Sequence, residues 1–106
     1  MNVRETDEIL EIFLQEMRHR LGNHLQQVIL FGSRARGDFT SDSDYDCLAL
    51  VDDISPAIEN IINEISGELL YQHNAVFSIF PVAEKKYRQQ KFDPFFMNIR
   101  QEGIVL

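Results

Sequence analysis

Residues 27–51 read QVILFGSRARGDFTSDSDYDCLALV, and this stretch decides the fold that we predict for the chain. Its first part, Gln27–Phe31, is a short apolar run with β-branched residues that stops at a glycine, which is typical of a buried strand. The polar segment Ser33–Ser43 is interpreted as a loop with room for one helical turn. Asp44–Val51 then has the pattern of a second strand whose first residues are acidic. The stretch therefore predicts two strands joined by a polar loop.

Helices and one further strand are expected outside this stretch. Thr6 is placed to cap a helix that runs to about Leu21. Ser55-Pro56 combines a capping hydroxyl with proline at the first helical position, and Ala75–Val82 has the composition of a third strand. The remaining elements are a short charged helix, Ala83–Gln90, and a last helix that opens at Asp93-Pro94, runs through Glu102 and is closed by Gly103. This order predicts an α/β (α+β) fold, with a small mixed β-sheet flanked by helices, in one domain over residues 1–106.

Composition and charge limit the classes of function. The formal net charge of −7 argues against direct binding to a DNA or RNA backbone, because such binding depends on Lys and Arg. The single cysteine, Cys47, excludes an internal disulfide and favours a reducing compartment, and its place after Asp46 in a strand directs it to the core. No apolar run reaches the roughly 20 residues of a membrane span. The N-terminus does not resemble a signal peptide, so we expect a cytoplasmic protein.

The glycine-serine pair at the end of the first strand has the features of a phosphate-binding turn. Gly32 lacks a Cβ, which lets the backbone turn sharply and approach a ligand closely. If a helical turn follows, the free amides near Ser33 and Arg34 point outward and can bind an anion. The Ser33 hydroxyl adds a donor, and Arg34 or Arg36 can meet phosphate oxygens in bidentate fashion. We predict a nucleotide phosphate site at Gly32, Ser33, Arg34 and Arg36.

Asp44 and Asp46 form the predicted metal site. They are two residues apart at the start of a strand, so their side chains project from one face with Cα atoms about 7 Å apart. Both can reach one Mg²⁺, or two ions roughly 4 Å apart, as phosphoryl-type displacement requires. The metal would neutralise a triphosphate and align the attacking oxygen with the α-phosphorus. We therefore predict both aspartates to be catalytic and metal-binding.

Together these residues carry a resemblance to a known family. The chain resembles the polymerase-β-like nucleotidyltransferase superfamily, specifically its minimal nucleotidyltransferase (MNT) proteins, which are similar to kanamycin nucleotidyltransferase at this motif. The matching positions are Gly32, Ser33, Ala35, Gly37, Asp44 and Asp46. The resemblance implies a polymerase-β-like fold, Mg²⁺, ATP or another nucleoside triphosphate, and transfer of a nucleotidyl group to a hydroxyl. It also implies a helical HEPN-type partner protein, because many MNT proteins are antitoxins that AMPylate a tyrosine of such a toxin.

One departure from the family pattern concerns the third acidic residue, which usually lies on the third strand. No Asp or Glu occurs from Leu69 to Ala83, and the expected position holds Phe77 or Ser78. The third carboxylate is the one suited to activating the attacking hydroxyl. The acceptor would then be deprotonated by solvent, by a group such as Glu84 or by the partner. The alternative is a non-enzymatic antitoxin that binds nucleotide and neutralises its toxin by contact alone.

Other classes of site fit the acidic segment less well. Asp42, Asp44 and Asp46 have the spacing that opens a calcium-binding EF-hand loop, but Cys47 and Asp53 stand where that loop needs glycine and usually glutamate. A simple solvated turn would leave three neighbouring acids repelling one another unless a cation offsets them. A P-loop is excluded, because no Gly-Lys-Ser/Thr follows the glycine. The metal site remains the preferred interpretation.

Two clusters near the C-terminus have open interpretations. The basic cluster is either a solvated helix face or a contact for nucleotide phosphates or an acidic partner. It comprises Lys85, Lys86, Arg88 and Lys91. The apolar cluster is too large for one short helix, so we expect part of it in the core and the rest in an exposed contact for another subunit, which would make a homo-oligomer. It comprises Phe92, Phe95, Phe96, Met97 and Ile99.

Overall fold

A computed structural model describes residues 7–106 of the chain, and this part forms a mixed β-sheet with helices on both faces. Its α-helices are α1 (Glu8–Leu21), α2 (Ser33–Arg36), α3 (Pro56–His73), α4 (Glu84–Gln89) and α5 (Pro94–Glu102). Its strands are β1 (Leu25–Phe31), β2 (Tyr45–Val51), β3 (Phe77–Ala83) and β4 (Ile104–Val105), and a 3₁₀ turn, Gly22–His24, joins α1 to β1. The predicted small mixed sheet flanked by helices is confirmed.

The strand pairing brings three strand ends together. The order in the sheet is β3-β2-β1-β4, with β1 antiparallel to both β2 and β4, and with β2 parallel to β3. Across the sheet, Phe31 of β1 is opposite Asp46 of β2, and Asp46 is opposite Ser78 of β3. The end of β1 and the starts of β2 and β3 therefore share one end of the sheet. We call it the Asp46 end.

Each face of the sheet has its own hydrophobic core. On the first face, α1 and α3 cover residues that include Leu30 and Cys47, both fully buried, as was expected for Cys47. Burial also raises the pKa of the Cys47 thiol, so this group is not a nucleophile. On the second face, Ile99 of α5 packs with Phe31 and Leu48. Full burial stabilises each large side chain by roughly 1.5–3 kcal/mol, and α5 thereby becomes fixed over the face that carries Asp46.

Capping side chains begin three of the helices. The Asp7 carboxylate accepts the N–H of Leu10 at 2.9 Å, whereas Thr6, the predicted cap, lies outside the described residues. Ser55 accepts from the N–H of Ile58 at 3.3 Å, and Asp93 accepts from the first turn of α5 at 2.9 and 3.3 Å. Both predicted proline starts are therefore confirmed. In residues 7–106, no helix has the length and apolar character needed to cross a membrane.

Several element boundaries differ from the prediction. Strand β2 begins at Tyr45, so Asp44 lies just before it, and β1 begins at Leu25, two residues earlier than expected. Strand β3 begins at Phe77 because Asn74 adopts a left-handed conformation (φ 51°) and the N–H of Ala75 turns back to the Leu69 carbonyl at 3.4 Å. Helix α4 spans Glu84–Gln89 instead of the expected Ala83–Gln90, and β4 was not predicted. A two-residue strand has too little sequence for an alternating pattern to be visible.

The apolar cluster around α5 divides as expected. Phe96 and Ile99 are buried, whereas Phe92, Phe95 and Met97 stay exposed. Their spacing explains this, because the two buried residues are three apart and share the inner side of the helix. An association with another subunit through the exposed members stays a prediction.

Candidate active site

Gly32 forms a sharp turn between β1 and α2. Its φ of 77° and ψ of −160° are strained for any residue with a side chain. Its carbonyl accepts from the N–H groups of Ala35 and Arg36, both at 3.1 Å, and this starts the predicted single helical turn. The first amides of a helix have no acceptor within it. The N–H groups of Ser33 and Arg34 therefore have the position expected of an anion-binding turn.

The Asp46 carboxylate lies directly against this turn. A Cβ atom added to Gly32 would stand 2.3 Å from Asp46 Oδ2 and 3.1 Å from its Cγ. The contact follows from the strand register, because Asp46 is the cross-strand partner of Phe31, the residue before Gly32. Only a glycine leaves room for the carboxylate at this point. The structure thus brings together the two halves of the predicted site, the glycine-serine turn and the acidic strand start.

The negative charge near Asp46 is only partly balanced by Arg36. Burial raises the pKa of this carboxyl above its ordinary value, Asp44 and Glu102 raise it further, and Arg36 lowers it. The ionised form therefore lacks a full counter-charge, which a divalent cation can supply. Within residues 7–106 no cluster of three or more acidic, histidine or cysteine side chains is arranged to hold a metal. Mg²⁺ needs only one or two carboxylates when substrate phosphates and water complete its shell, and the Asp44/Asp46 pair fits that mode.

Glu102 belongs to the site, and no local sequence pattern predicts it. Its Oε1 accepts from the Gly32 N–H at 3.0 Å and from Asn98 Nδ2 at 3.3 Å, and its Oε2 accepts from Arg36 Nη1 at 3.3 Å. Gly32 and Glu102 are 70 positions apart in the chain. A carboxylate therefore occupies donors that the sequence assigns to a nucleotide phosphate.

We expect the Glu102→Gln variant to bind Mg²⁺-ATP more tightly than the unmodified protein. The neutral amide removes one negative charge from the phosphate position but still offers an oxygen to the Gly32 N–H. Removing a repulsion of about 1 kcal/mol corresponds to roughly fivefold in affinity. Isothermal titration calorimetry measures the difference. Glu59→Gln, an equal charge change on α3 across the sheet, should leave the affinity unaltered, and weaker binding by Glu102→Gln would mean that this carboxylate helps to hold the metal.

Arg34 is placed away from Asp46, among the carbonyls of the loop before β2. Its side chain is buried at 8% exposure. The Nε atom donates to the Ser43 carbonyl at 3.0 Å, and the guanidinium lies 3.9 Å from the centre of the Tyr45 ring. Nη2 also faces the carbonyls of Thr40 and Ser41, at 3.5 and 3.4 Å. Arg34 therefore orders the loop that leads to Asp44, with its Nε and Nη2 donors directed at that loop.

Arg36 is the exposed arginine of the pair and lies beside the turn. Its Nη1 is 3.3 Å from Glu102, and its Nε is 3.2 Å from Asp38 Oδ2. These hydrogen bonds, to Asp38 first and then to Glu102, raise the pKa of Arg36, so the guanidinium stays charged. Of the two arginines predicted to bind phosphate, Arg36 is the one positioned to meet it.

Ser78 occupies the position at which the family pattern places a third acid. Asp46 pairs with Ser78 across the sheet, and Phe77 pairs with Tyr45 on the other face. The alternative base, Glu84, is wrong on geometric grounds. Strand β3 runs parallel to β2 and away from the Asp46 end, and Glu84 follows it at the far end of the sheet.

The basic cluster also lies at that far end. A cavity of about 610 Å³ opens there, and Leu50, Arg88, Lys91 and Arg100 are among the residues that line it. Arg88 is paired with Glu84 at 3.3 Å. Arg88 and Lys91 thus line a cavity beside Leu50, near the end of β2 opposite to Asp46.

Comparison with known proteins identifies the family. Residues 10–101 match the family model described as nucleotidyltransferase domain, and the chain belongs to that family. Two relatives from Methanocaldococcus jannaschii are provisionally named protein adenylyltransferases. One is 27% identical over 100 residues, covering 94% of this chain and 96% of the relative. The other is 34% identical over 88 residues, covering 83% and 88%. The chain is thus a nucleotidyltransferase, and the resemblance seen in residues 32–46 is confirmed.

Solved structures share the fold. A crystal structure of a toxin-antitoxin with AMP-PNP superposes with a TM-score of 0.64 at 18% identity, over 93% of this chain and 72% of that one. A MntA-HpeT toxin-antitoxin variant gives a TM-score of 0.62 at 19% identity, over 92% and 70%. At these identities the likeness establishes the nucleotidyltransferase architecture that the sequence predicts.

Proposed function

We propose that this protein transfers AMP from ATP, with Mg²⁺, to a hydroxyl of a partner protein and thereby acts as the antitoxin of a toxin-antitoxin pair. The observation that carries the proposal is the Asp46 carboxylate held against the Gly32 turn. The names of the relatives support protein adenylylation, and the toxin-antitoxin structures with the same fold support a toxin as partner. The family resemblance favours a helical partner of the HEPN type.

Each residue of the site has a separate task in this reaction. The Ser33 amide and hydroxyl, with Arg36, bind the β- and γ-phosphates, which leave as pyrophosphate. Gly32 keeps the backbone close enough for these contacts, and Asp44 and Asp46 are the residues that would hold the metal. When bound, a divalent metal neutralises the phosphate charge and activates the phosphorus toward attack. Binding by Arg36 requires Glu102 to move aside.

The position of the acceptor follows from in-line displacement, in which the attacking and leaving oxygens lie on opposite sides of phosphorus. Because the leaving pyrophosphate lies over the end of β1, the acceptor hydroxyl approaches over the start of β3, beside Ser78. Among the three strand residues of this row, Phe31, Asp46 and Ser78, the β3 residue is a serine and not a carboxylate. A phenol, with a pKa of about 10, depends less on a general base than an aliphatic hydroxyl does, and it can release its proton to solvent as the new P–O bond forms. This chemistry favours a tyrosine of the partner as the acceptor.

The proposal is tested by incubating the protein, its partner, ATP and Mg²⁺, followed by intact mass spectrometry. We expect the partner to gain the mass of AMP. Asp44→Asn should reduce the rate by a factor on the order of 100 or more, because it removes a metal-holding charge. Asp53→Asn, at the other end of β2, is the matched control and should retain the rate.

The rival function is neutralisation of the toxin by contact alone, and the serine in place of the third carboxylate favours it. Full neutralisation without an AMP adduct under any divalent metal would establish this rival. An Asp44→Asn variant that still neutralises the toxin completely would do the same.

A further inference from the structure

Three phenylalanine rings form a group beside the candidate metal site. The ring centres of Phe31 and Phe80 are 5.9 Å apart, those of Phe31 and Phe95 are 5.6 Å apart, and those of Phe80 and Phe95 are 5.7 Å apart. Phe31 is 8% exposed, whereas Phe80 and Phe95 are 42% and 41% exposed. Phe31 is therefore the buried support of the group, whereas Phe80 and Phe95 keep ring surface open to solvent. We call this group the aromatic shelf.

The shelf lies on the same sheet face as the Asp46 carboxylate. Phe31 is the cross-strand partner of Asp46 and immediately precedes Gly32. Ser78 is opposite Asp46 on β3, and Phe80, two residues further along, projects from the same face. The exposed ring of Phe80 therefore lies two residues along β3 from Ser78, toward the centre of the sheet.

Helix α5 connects the shelf with the phosphate-binding turn. Phe95, Asn98 and Glu102 are spaced by three and four residues, so they share one side of the helix. At one end of this side Phe95 packs on Phe80, and at the other end Glu102 contacts Gly32 and Arg36. Seven residues of helix span about 10 Å. This length is close to that separating the base from the β-phosphate of an extended nucleotide.

We propose that Phe80 and Phe95, supported by Phe31, form the surface on which the purine ring of the nucleotide stacks. The proposal rests on the proposed function and supplies the base-binding part of that site. Aromatic side chains stack on nucleobases whatever their polar edges are, and a purine covers more ring surface than a pyrimidine. The acceptor enters from the end of the sheet past Ser78, so the rings further inward are left for the base.

Calorimetric titration of two ligands isolates the contribution of the base. ATP carries both the base and the phosphates, whereas inorganic tripolyphosphate carries the phosphates alone. We expect Phe80→Ala and Phe95→Ala to raise the Kd of Mg²⁺-ATP roughly tenfold. The Kd of tripolyphosphate should change less than about twofold, since its contacts are at the Gly32 turn. Unmodified protein should also bind ATP more tightly than CTP.

Two further variants distinguish the loss of the stacking contact from a loss of folding. Phe95→Leu retains an apolar side chain against Phe31 and Phe96 but removes the flat ring, and it should weaken ATP binding as the alanine variant does. Phe92→Ala is the matched control, because Phe92 is 86% exposed in the loop before α5 and stands outside the shelf. It should alter neither titration.

The results that would overturn the proposal are distinct from those that would overturn the proposed function. Unaltered ATP affinity in Phe80→Ala and Phe95→Leu would exclude the shelf as the base site. If transfer to the partner then falls while ATP affinity holds, the rings bind the acceptor and the proposal is wrong. If unmodified protein binds neither ATP nor tripolyphosphate, the nucleotidyltransferase function proposed above fails, and this inference fails with it.

Discussion

Replacing Asp46 by asparagine is expected to abolish nucleotidyl transfer and, at the same time, to raise the melting temperature of the protein at neutral pH. The loss of activity follows from the removal of a charge that holds the metal, and such losses are on the order of 100-fold or more. The gain in stability follows from burial and from Asp44, which raise the pKa of Asp46 in the folded state. One substitution thus separates the requirement for activity from the requirement for folding.

The pH dependence of this stability gain has a definite sign. A carboxyl whose pKa is higher in the folded state than in the unfolded chain binds its proton more readily when folded. Its ionisation therefore destabilises the fold fully at pH values above the raised pKa. The effect disappears as the pH falls through that value toward the unfolded value near 3.8. The difference in melting temperature between Asp46→Asn and the unmodified protein should be present at pH 7 and absent near pH 3.

Thermal unfolding in metal-free buffer, followed by circular dichroism, measures this difference. Asp53→Asn is again the matched control, because Asp53 lies in the exposed turn after β2. Mg²⁺ at saturating concentration should stabilise the unmodified protein and leave Asp46→Asn unchanged, since only a protein that binds the ion gains stability from it. An Asp46→Asn variant that melts at a lower temperature at pH 7 would contradict our account of the charge balance.

The Gly32→Ala substitution should damage both the fold and the site. The glycine has a φ of 77°, and an added Cβ would lie 2.3 Å from Asp46 Oδ2. Backbone strain of this kind destabilises a protein by about 1–3 kcal/mol. Relief of the clash requires Asp46 to move away from the turn, so we expect activity to fall by a factor on the order of 100 as well. Urea unfolding and the AMP-transfer assay measure the two effects.

Gly22→Ala separates the strain from the clash. Gly22 also has a positive φ, of 54°, but a Cβ there would meet nothing within 4 Å. This variant should lose stability through its backbone alone and keep its rate of transfer. A Gly32→Ala variant with full activity would show that the contact between the turn and Asp46 has no part in the reaction.

Much of the fold could be predicted because its determinants are local. Proline after a capping residue begins α3 and α5, and the apolar runs before Gly32 and after Asp46 form adjacent strands. The antiparallel pairing places the end of β1 beside the start of β2, so the contact between Gly32 and Asp46, an encounter of two strand ends, follows from the same local pattern. The family resemblance adds the expectation that this encounter is a nucleotide site.

The parts that could not be predicted depend on contacts between distant segments. The role of Glu102 arises from the way α5 packs on the sheet, and nothing near it in the sequence points to Gly32. Arg34 and Arg36 have similar neighbours in the sequence, and only burial distinguishes the loop-ordering residue from the exposed one. Glu84 follows the third strand immediately, yet the parallel direction of that strand carries it away from the reacting groups.

The two carboxylates of the candidate site, Glu102 and Asp46, lie in parts of the sheet that differ in local stability. Glu102, which accepts from the Gly32 N–H, is joined through Gly103 to a strand of two residues at the edge of the sheet. Edge segments with few backbone hydrogen bonds open locally at small free-energy cost, whereas central strands open only with the whole protein. Glu102 therefore borders the margin of the sheet, whereas Asp46 lies on a central strand.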